Sequence, residues 1–181
     1  RGYFDLVLVV FAIEAMLFAC GESLSRERIC EVLDIDKNTF QKVIGKVKER
    51  YDHPDSGMEL LELGGNYQLS TRLEYAAYIV KALEIKRDVP LSSAALEVLS
   101  IVAYNEPVSR GFIEQVRGVD STSVIASLCK KMLIEECGRM DLPGRPIAYR
   151  TTDNFLRCFG ISSLSMLPAL PKEAELTEDT E

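Results

Sequence analysis

The sequence predicts a mainly α-helical protein with small β-hairpin wings, arranged as two tandem winged helix-turn-helix domains. Two observations support this prediction: an internal repeat, and a hairpin pattern that follows each copy of it. A shift of 84 residues aligns Leu17–Lys46 with Ile101–Lys130 without a gap. The identical pairs are Ala19/Ala103, Glu22/Glu106, Ser25/Ser109, Arg26/Arg110, Ile29/Ile113, Asp36/Asp120 and Lys46/Lys130. Self-similarity at a fixed offset indicates that one supersecondary unit occurs twice.

The first copy predicts three helices. An apolar first helix covers Leu6 to Cys20. Ser25 is placed to cap a short second helix that carries Ile29 and Val32, and Asp36 is placed to cap a third helix. That third helix has its apolar residues at helical spacing. They are Phe40, Val43, Ile44, Val47 and Tyr51.

A hairpin and a further helix complete the first copy. Met58–Leu63 and Tyr67–Ser70 flank Gly64-Gly65-Asn66, a composition suited to a tight hairpin turn. The following segment, Leu73–Ile85, has small and apolar residues at helical spacing. The residues predicted to share one face are Ala76, Ala77, Val80 and Leu83.

The second copy repeats this order. Ser92 or Ser93 caps a first helix, and Asn105-Glu106-Pro107 ends it, because the residue before a proline avoids the helical region. That helix is predicted to pack through Leu96, Leu99, Val102 and Ala103. Ser109 caps a short helix, which carries Ile113 and Val116 and which Gly118 closes. Asp120 is expected to cap the third helix, Ser121–Leu133, which turns Val124, Leu128 and Met132 inward.

The second hairpin and the chain boundaries follow from composition. Leu133–Cys137 and Ile147–Thr151 flank a loop with Pro143, Gly144 and Pro146, and Asp153–Phe159 is a further helix. Arg87-Asp88-Val89-Pro90 is typical of a linker. We therefore predict an N-terminal winged-helix domain over residues 1–86, a C-terminal one over residues 91–166, and an acidic disordered tail over residues 167–181.

The charge distribution argues against a DNA-binding protein. The chain has a net charge of −7, and DNA is held mainly through basic groups at the phosphates. The third helix of the second copy offers mostly small side chains, whereas that of the first copy is richer in polar and basic groups. These groups are Lys37, Asn38, Gln41, Lys42, Lys46, Lys48 and Arg50. Direct DNA contact is expected to be weak or indirect, and a winged-helix transcriptional regulator remains the alternative.

Catalytic and metal-binding patterns are missing from the sequence. The five cysteines form no CxxC pair, and the single histidine, His53, lies in a polar turn. There is no glycine-rich phosphate loop and no GxSxG motif. We therefore predict no enzymatic activity, no cofactor and no metal. Reduced thiols fit a cytoplasmic protein, and the apolar first helix, interrupted by Glu14, is too short to span a membrane.

The second copy resembles the bacterial segregation and condensation protein B family, ScpB. The specific part is the string from Pro107 to Asp120 together with Pro143-Gly144-Arg145-Pro146. The resemblance implies a homodimeric accessory subunit of the SMC–ScpA condensin-like complex, which supports chromosome condensation and segregation. It further implies that the N-terminal domains pair, that the kleisin ScpA is bound, that the SMC ATPase is reached through ScpA, and that the protein is cytoplasmic and nucleoid-associated.

The resemblance suggests candidate interaction residues in both copies. The first helix has more apolar surface than a small domain can cover, which suits a dimer interface. The interface candidates are Leu6, Val7, Val10, Phe11, Ile13 and Leu17. The partner-binding candidates are Arg110, Glu114, Arg117, Arg139 and Arg145. Two alternatives stay open: Glu114 and Arg117 could be a simple surface pair, and Arg145 could order the wing by bonding to backbone carbonyls.

Overall fold

The structure, a computed structural model, describes residues 2–84 and 90–170, with side chains from residue 6 onward. We call these ranges the N-terminal half and the C-terminal half. Most of the predicted linker, residues 87–89, and most of the predicted tail, residues 171–181, lie outside the described residues.

Each half consists of helices and one small antiparallel sheet. The N-terminal half contains α1 (Gly2–Cys20), β1 (Leu24–Ser25), α2 (Arg26–Leu33), α3 (Lys37–Tyr51), β2 (Met58–Leu63), β3 (Asn66–Thr71), a 3-10 turn (Leu73–Tyr75) and α4 (Ala76–Ala82). The C-terminal half contains α5 (Ser93–Asn105), β4 (Val108–Ser109), α6 (Arg110–Arg117), α7 (Thr122–Lys130), β5 (Ile134–Arg139), β6 (Ile147–Thr151), α8 (Asp153–Phe159) and a 3-10 turn (Leu164–Met166). The strand orders are β1-β3-β2 and β4-β6-β5. The prediction of a mainly helical chain with β-hairpins is confirmed.

Equivalent positions of the repeat carry the same local chemistry. The Ser25 hydroxyl accepts a hydrogen bond from the Arg28 amide at 3.1 Å, and the Ser109 hydroxyl accepts one from the Phe112 amide at 3.2 Å. Both predicted N-caps are therefore confirmed. Each of these two helices ends at a residue with a left-handed backbone, which is Asp34 in the first copy and Gly118 in the second.

Two clusters of buried side chains form the core, one in each half. The first contains Val10, Ile13, Leu17, Ile29, Phe40, Val43, Ile44, Val47, Leu60, Tyr67 and Leu69. The second contains Leu63, Ala95, Val98, Leu99, Val102, Ala103, Val108, Ile113, Ile125, Leu128, Leu133, Ile134, Tyr149, Phe155 and Leu156. All of the second cluster except Leu63 comes from the C-terminal half. The two halves therefore touch through the first hairpin, which we define as β2, β3 and the turn between them.

Several predicted core and capping positions were wrong. Leu96 and Met132 are exposed, and Ala95 and Val98 take the inward positions of α5. The N-cap residue of α7 is Ser121, not Asp120, and the Asp120 carboxylate instead accepts a hydrogen bond from the Thr122 hydroxyl at 2.9 Å. Met132 has a positive φ of 56° just beyond the end of α7, so its side chain no longer follows the helical stripe.

The helix predicted over Leu73–Ile85 is shorter than expected. Its first turn is the 3-10 turn, and α4 ends at Ala82, with Ile85 outside the described residues. None of the residues of α4 is buried. The apolar face that its spacing predicts is therefore not buried in the core: Ala76 is half-buried, Val80 is 38% exposed and Leu83 is 67% exposed.

The two hairpins differ in how they turn. In the first hairpin, Leu63 pairs with Asn66 across Gly64 and Gly65, which both have positive φ, as a tight two-residue turn requires. In the second hairpin, β5 and β6 with their connecting loop, a bulge lies between Glu136 and Gly138. The loop is closed by a hydrogen bond of 2.9 Å from the Met140 amide to the Pro146 carbonyl.

Two neighbouring positions on α6 test which face of this helix supports the fold. Ile113→Ala should lower the free energy of unfolding by about 2–5 kcal/mol, because Ile113 is fully buried in the second cluster. Val116→Ala, on the same helix but 57% exposed, is the matched control and should change it by less than about 0.5 kcal/mol. Urea denaturation measures both. Equal losses would contradict the packing described for α6.

Candidate protein-interaction surfaces

Helix α1 has one face buried in its own half and one exposed apolar face. Val10, Ile13 and Leu17 are almost completely buried in the first cluster. Four large apolar residues on the opposite side are 39–75% exposed. They are Val7, Leu8, Phe11 and Phe18, and we call them the α1 outer face. A helix that is apolar on all sides requires cover on more than one side.

A cationic side chain borders the α1 outer face. The Arg50 guanidinium, from α3, lies 5.2 Å from the centroid of the Phe11 ring and forms an ion pair of 3.0 Å with Glu14. Val7, Phe11 and Arg50 also line a shallow surface groove of about 450 Å³. Arg50 is thus held in place beside the exposed apolar residues, which gives this face the composition of an interface, with an apolar centre and a polar rim.

The structure divides the residues predicted for the dimer interface into two groups. Val10, Ile13 and Leu17 support the core of their own half, whereas Leu6, Val7 and Phe11 retain accessible surface. Sequence reasoning missed Leu8 and Phe18, which are more exposed than Val7 and Phe11. They lie at helical spacing from Phe11, but the sequence did not indicate which stripe of a uniformly apolar helix faces inward.

Glu114 and Arg117 both bond to one serine at the start of α7. The Arg117 guanidinium donates to the Ser121 hydroxyl at 2.8 Å and to the Glu97 carboxylate at 3.1 Å. The Glu114 carboxylate accepts from the Ser121 amide at 3.2 Å. Ser121 itself is fully buried, and the Arg117 side chain is only 9% exposed. These bonds join α5, α6 and the start of α7, so they give both side chains a role inside the fold.

Arg110 lies at the exposed side of the same network. Its guanidinium is 3.7 Å from the Glu114 carboxylate and more than half exposed. Three apolar side chains on α6 and the turn after it are also exposed, namely Phe112, Val116 and Val119. We call Arg110 with these three the α6 surface. Phe112 and Val116 are four residues apart and so share one side of α6, whereas Arg110, two residues before Phe112, lies on another side next to Glu114.

In the second hairpin, the side chain that orders the loop is that of Arg139, not that of Arg145 as considered from sequence. Arg139 is the donor, and its guanidinium bonds to the carbonyl oxygen of Arg145 at 2.9 Å. Arg145 has a left-handed backbone with φ of 42°, and its side chain is exposed. The loop is therefore fixed by Arg139, while the Arg145 side chain extends from a defined position.

Among the residues described, α3 is better supplied with cations than α7 at the surface. Lys37, Lys42 and Lys48 are exposed on α3, but Glu49 lies among them and Arg50 is bonded to Glu14. The exposed side chains of α7 include Thr122 and Ser123, with Lys130 only at its end. Since phosphate contacts supply most non-specific DNA affinity, α7 is a poor DNA-reading helix.

A cleft of about 900 Å³ lies between the two halves. Most of its charged residues, among them Glu106, Glu135, Arg150 and Asp153, are bonded to neighbours in the protein. Arg150 forms an ion pair of 2.7 Å with Glu135, which raises the pKa of Arg150 above its usual range. The Glu106 carboxylate accepts hydrogen bonds from the Thr151 amide and hydroxyl at 2.6 and 2.7 Å. These groups stabilise the C-terminal half and do not form a free acid–base pair.

The described residues contain no group of three or more side chains that could hold a metal ion. Burial raises the pKa of the Cys129 thiol, so that this cysteine stays protonated at neutral pH and is a poor nucleophile. Within the same ranges, 2–84 and 90–170, no helix is long and apolar enough to cross a membrane.

Comparison with known proteins places this chain in a family. Residues 11–170 match the family model of the segregation and condensation complex subunit ScpB. The chain is 42% identical to segregation and condensation protein B of Ruminiclostridium cellulolyticum, over 92% of this chain and 87% of that protein. It is 44% identical to segregation and condensation protein B of Acetivibrio thermocellus, over 91% and 83% respectively. A solved structure, the dimer of a ScpB N-terminal domain complexed with a ScpA peptide, is 33% identical over 42% of this chain and 96% of that chain, with a TM-score of 0.41.

The network around Ser121 predicts unequal effects for two arginines of α6. Arg117→Ala should lower the free energy of unfolding by about 1–3 kcal/mol, because it leaves the buried Ser121 hydroxyl without its donor. Arg110→Ala, which removes an exposed ion pair with Glu114 and an exposed 3.5 Å hydrogen bond to the Thr122 hydroxyl, is the control and should cost less than about 1 kcal/mol. Thermal and urea unfolding measure both. If Arg117→Ala unfolds like the unmodified chain, the structural role assigned to Arg117 is wrong.

Proposed function

The chain belongs to the ScpB family of segregation and condensation complex subunits, and on this premise we propose that it acts as the homodimeric accessory subunit of a bacterial SMC–ScpA condensin-like complex. In this role it binds the kleisin ScpA, reaches the SMC ATPase through ScpA, and supports chromosome condensation and segregation. The observation that carries the proposal is the match of residues 11–170 to the ScpB family model, together with relatives of that name that are more than 40% identical over most of the chain.

We further propose that the halves are two tandem winged helix-turn-helix domains, at residues 1–86 and 91–166, followed by an acidic disordered tail at 167–181. The repeated order of helices and the three-stranded sheet in each half support this architecture. So do the equivalent caps at Ser25 and Ser109. The first domain serves in dimerisation and the second in partner binding.

The α1 outer face is proposed as the dimer interface. It presents several large apolar side chains on one long helix, among them Phe11 and Phe18. A twofold dimer uses the same surface of both subunits, and a helix packed against its own copy meets this requirement. Among the six residues predicted from sequence, Val7 and Phe11 contribute to this contact directly, and Val10, Ile13 and Leu17 support the helix from below.

The α6 surface and the loop of the second hairpin are proposed as the ScpA-binding region. On α6, Arg110 supplies charge and Phe112, Val116 and Val119 supply apolar contact. Arg145 supplies a second exposed cation from the ordered loop. Arg117 and Glu114 hold the surface in shape, and Arg139 does the same for the loop.

The protein is proposed to act without catalysis, without a cofactor and without a metal, and to reside in the cytoplasm in association with the nucleoid. Its contact with DNA is weak or indirect. The acidic balance of the chain and the small, largely uncharged side chains of α7 support this part of the proposal.

The dimer proposal is tested by placing charge on the α1 outer face. Leu8→Glu with Phe18→Glu should weaken self-association about a hundredfold or more, because each large apolar side chain buried contributes about 1.5–3 kcal/mol and about 1.4 kcal/mol is a factor of ten. Sedimentation equilibrium measures the dissociation constant, with circular dichroism as the check on folding. Leu142→Glu, at an exposed leucine of the second hairpin loop, is the control. A double variant that dimerises normally would place the interface elsewhere.

The ScpA proposal is tested at equivalent positions of the repeat. Val116→Asp should weaken binding to the cognate ScpA by at least roughly tenfold, because a carboxylate would replace an apolar contact within the interface. Val32→Asp places the same charge at the equivalent, similarly exposed position on α2, and it measures whether the N-terminal half contributes to ScpA binding. Titration calorimetry measures both.

Two results would count against the proposal at different levels. An intact, unmodified dimer that does not bind ScpA at micromolar concentration would refute the proposed function. Normal binding by Val116→Asp would leave that function standing but refute the α6 surface as its site.

A further inference from the structure

Strand β2 has apolar side chains on both of its faces. Met58 and Leu60 pack in the cluster of the N-terminal half. Leu61 and Leu63 pack in the cluster of the C-terminal half. Successive side chains of a strand point to opposite faces, so Leu61 and Leu63 share the face directed away from their own core. A hairpin with one solvated face would carry polar residues at these positions.

The apolar contact between the halves is closely packed. Leu63, from the N-terminal half, is only 2% exposed within the second cluster, and the partly buried Leu61 packs against the same cluster. The backbone of the turn follows it closely: a Cβ atom added at Gly64 would lie 3.6 Å from Leu156 Cδ1 and 3.8 Å from an Asp153 carboxylate oxygen. The turn of the first hairpin thus rests on α8.

Polar bonds surround this apolar contact. One oxygen of the Asp153 carboxylate accepts hydrogen bonds of 2.6 Å from both the Ser23 hydroxyl and the Asn66 side-chain amide. The Gly64 amide donates to the Ser162 carbonyl at 2.8 Å. Hydrogen bonds to a charged acceptor are the stronger kind, and Asp153 also lies at the first residue of α8, where a negative charge is favourable.

The side chains that donate hydrogen bonds to Asp153 are held in position by the N-terminal half. On β3, Tyr67 and Leu69 point into their own cluster, so Asn66 and Gln68 point to the outer face of the hairpin. The Gln68 side-chain amide is buried and donates to the Gly21 carbonyl at 3.0 Å, close to Ser23. The residues that meet Asp153 are therefore held by bonds within the N-terminal half.

We propose that the outer face of the first hairpin is an intramolecular docking surface whose partner is α8 of the same chain, and that this contact makes the two halves one rigid body in solution. We call this contact the hairpin dock and define it by Leu61, Leu63, Gly64 and Asn66 on one side and Asp153, Leu156 and Ser162 on the other. It fixes the direction in which the C-terminal half extends from the α1 outer face. The inference does not depend on the proposed function, because it concerns only contacts within one chain.

The hairpin dock also assigns a use to the first hairpin. A wing that inserts into a nucleic-acid groove or receives a partner requires a free outer face. Here that face carries Leu61 and Leu63 and is covered by α8. The first hairpin therefore connects the two halves rigidly. The loop of the second hairpin, with exposed Arg145, stays accessible.

Distances measured by pulsed electron paramagnetic resonance test the rigid body. Spin labels are placed on Lys42→Cys in α3 and Ser123→Cys in α7, which are exposed and outside the hairpin dock. The five native cysteines, Cys20, Cys30, Cys129, Cys137 and Cys158, are first replaced by serine or alanine. The full chain is used, mixed with an excess of unlabelled chain so that only distances within one chain are recorded. One narrow distance distribution is expected.

Variants of the hairpin dock show whether it causes that narrow distribution. Leu61→Asp combined with Asp153→Ala removes both the apolar and the polar parts, and should broaden the distribution while circular dichroism stays that of the folded chain. Leu142→Asp combined with Asp141→Ala, at exposed positions of the second hairpin loop, makes the same chemical changes away from the hairpin dock and should leave it narrow.

Three outcomes would overturn the proposal. A broad distance distribution in the labelled protein with an unmodified hairpin dock would mean that the halves move independently. A distribution that stays narrow in Leu61→Asp/Asp153→Ala would mean that another contact fixes them. A narrow distance that disappears on mixing with unlabelled chain would mean that the hairpin docks on a second copy. If the double variant unfolds, Asn66→Ala, which removes one of the two donors to Asp153, replaces it with a smaller but measurable broadening expected, and an unchanged distribution would overturn the role of this polar contact.

Discussion

The N-terminal half of this protein has more apolar side-chain surface than its own small core can enclose. A unit of roughly 80 residues buries a smaller fraction of its surface than a larger domain does. The apolar helix α1 and the two-faced strand β2 belong to such a unit. Its excess apolar surface is covered in one place by the C-terminal half and is left exposed in another, on the α1 outer face. The contact between the halves and the proposed self-association thus have the same cause, namely apolar surface that the small core does not cover.

The starts of α2 and α6 and the end of α6 could be predicted because they depend on short-range chemistry. Ser25 and Ser109 cap the helices that follow them, and Gly118 ends α6, through bonds that span three or four residues. The inward and outward positions of α5 were wrong because tertiary packing decides them. Leu96 lies outside and Ala95 inside, because α5 is rotated relative to the stripe of larger residues. The covered outer face of β2 could have been suspected from the adjacent Leu60-Leu61, which breaks strict alternation.

The candidate surfaces were predictable as regions but not as individual side chains. The apolar excess of α1 is visible in the sequence, yet only the structure separates Val10 and Ile13, which face inward, from Phe11 and Phe18, which face outward. Arg117 posed a different difficulty. Its partner Glu97 lies 20 residues away on another helix, so local spacing suggested a pair with Glu114 instead. The role of a charged residue depends on partners that the fold brings together from distant parts of the chain.

The separation in sequence of the residues that meet Asp153 has a consequence for synthesis on the ribosome. Asn66 and Ser23 precede Asp153 by 87 and 130 residues, so the N-terminal half is translated long before α8 exists. During that interval the nascent hairpin presents Leu61 and Leu63 to solvent on an edge strand, β2, and such strands are prone to pair with other chains. Completion of the C-terminal half ends this exposure. Slow elongation through residues 90–160 therefore lengthens the period in which the unfinished protein is open to aggregation or to binding by a chaperone.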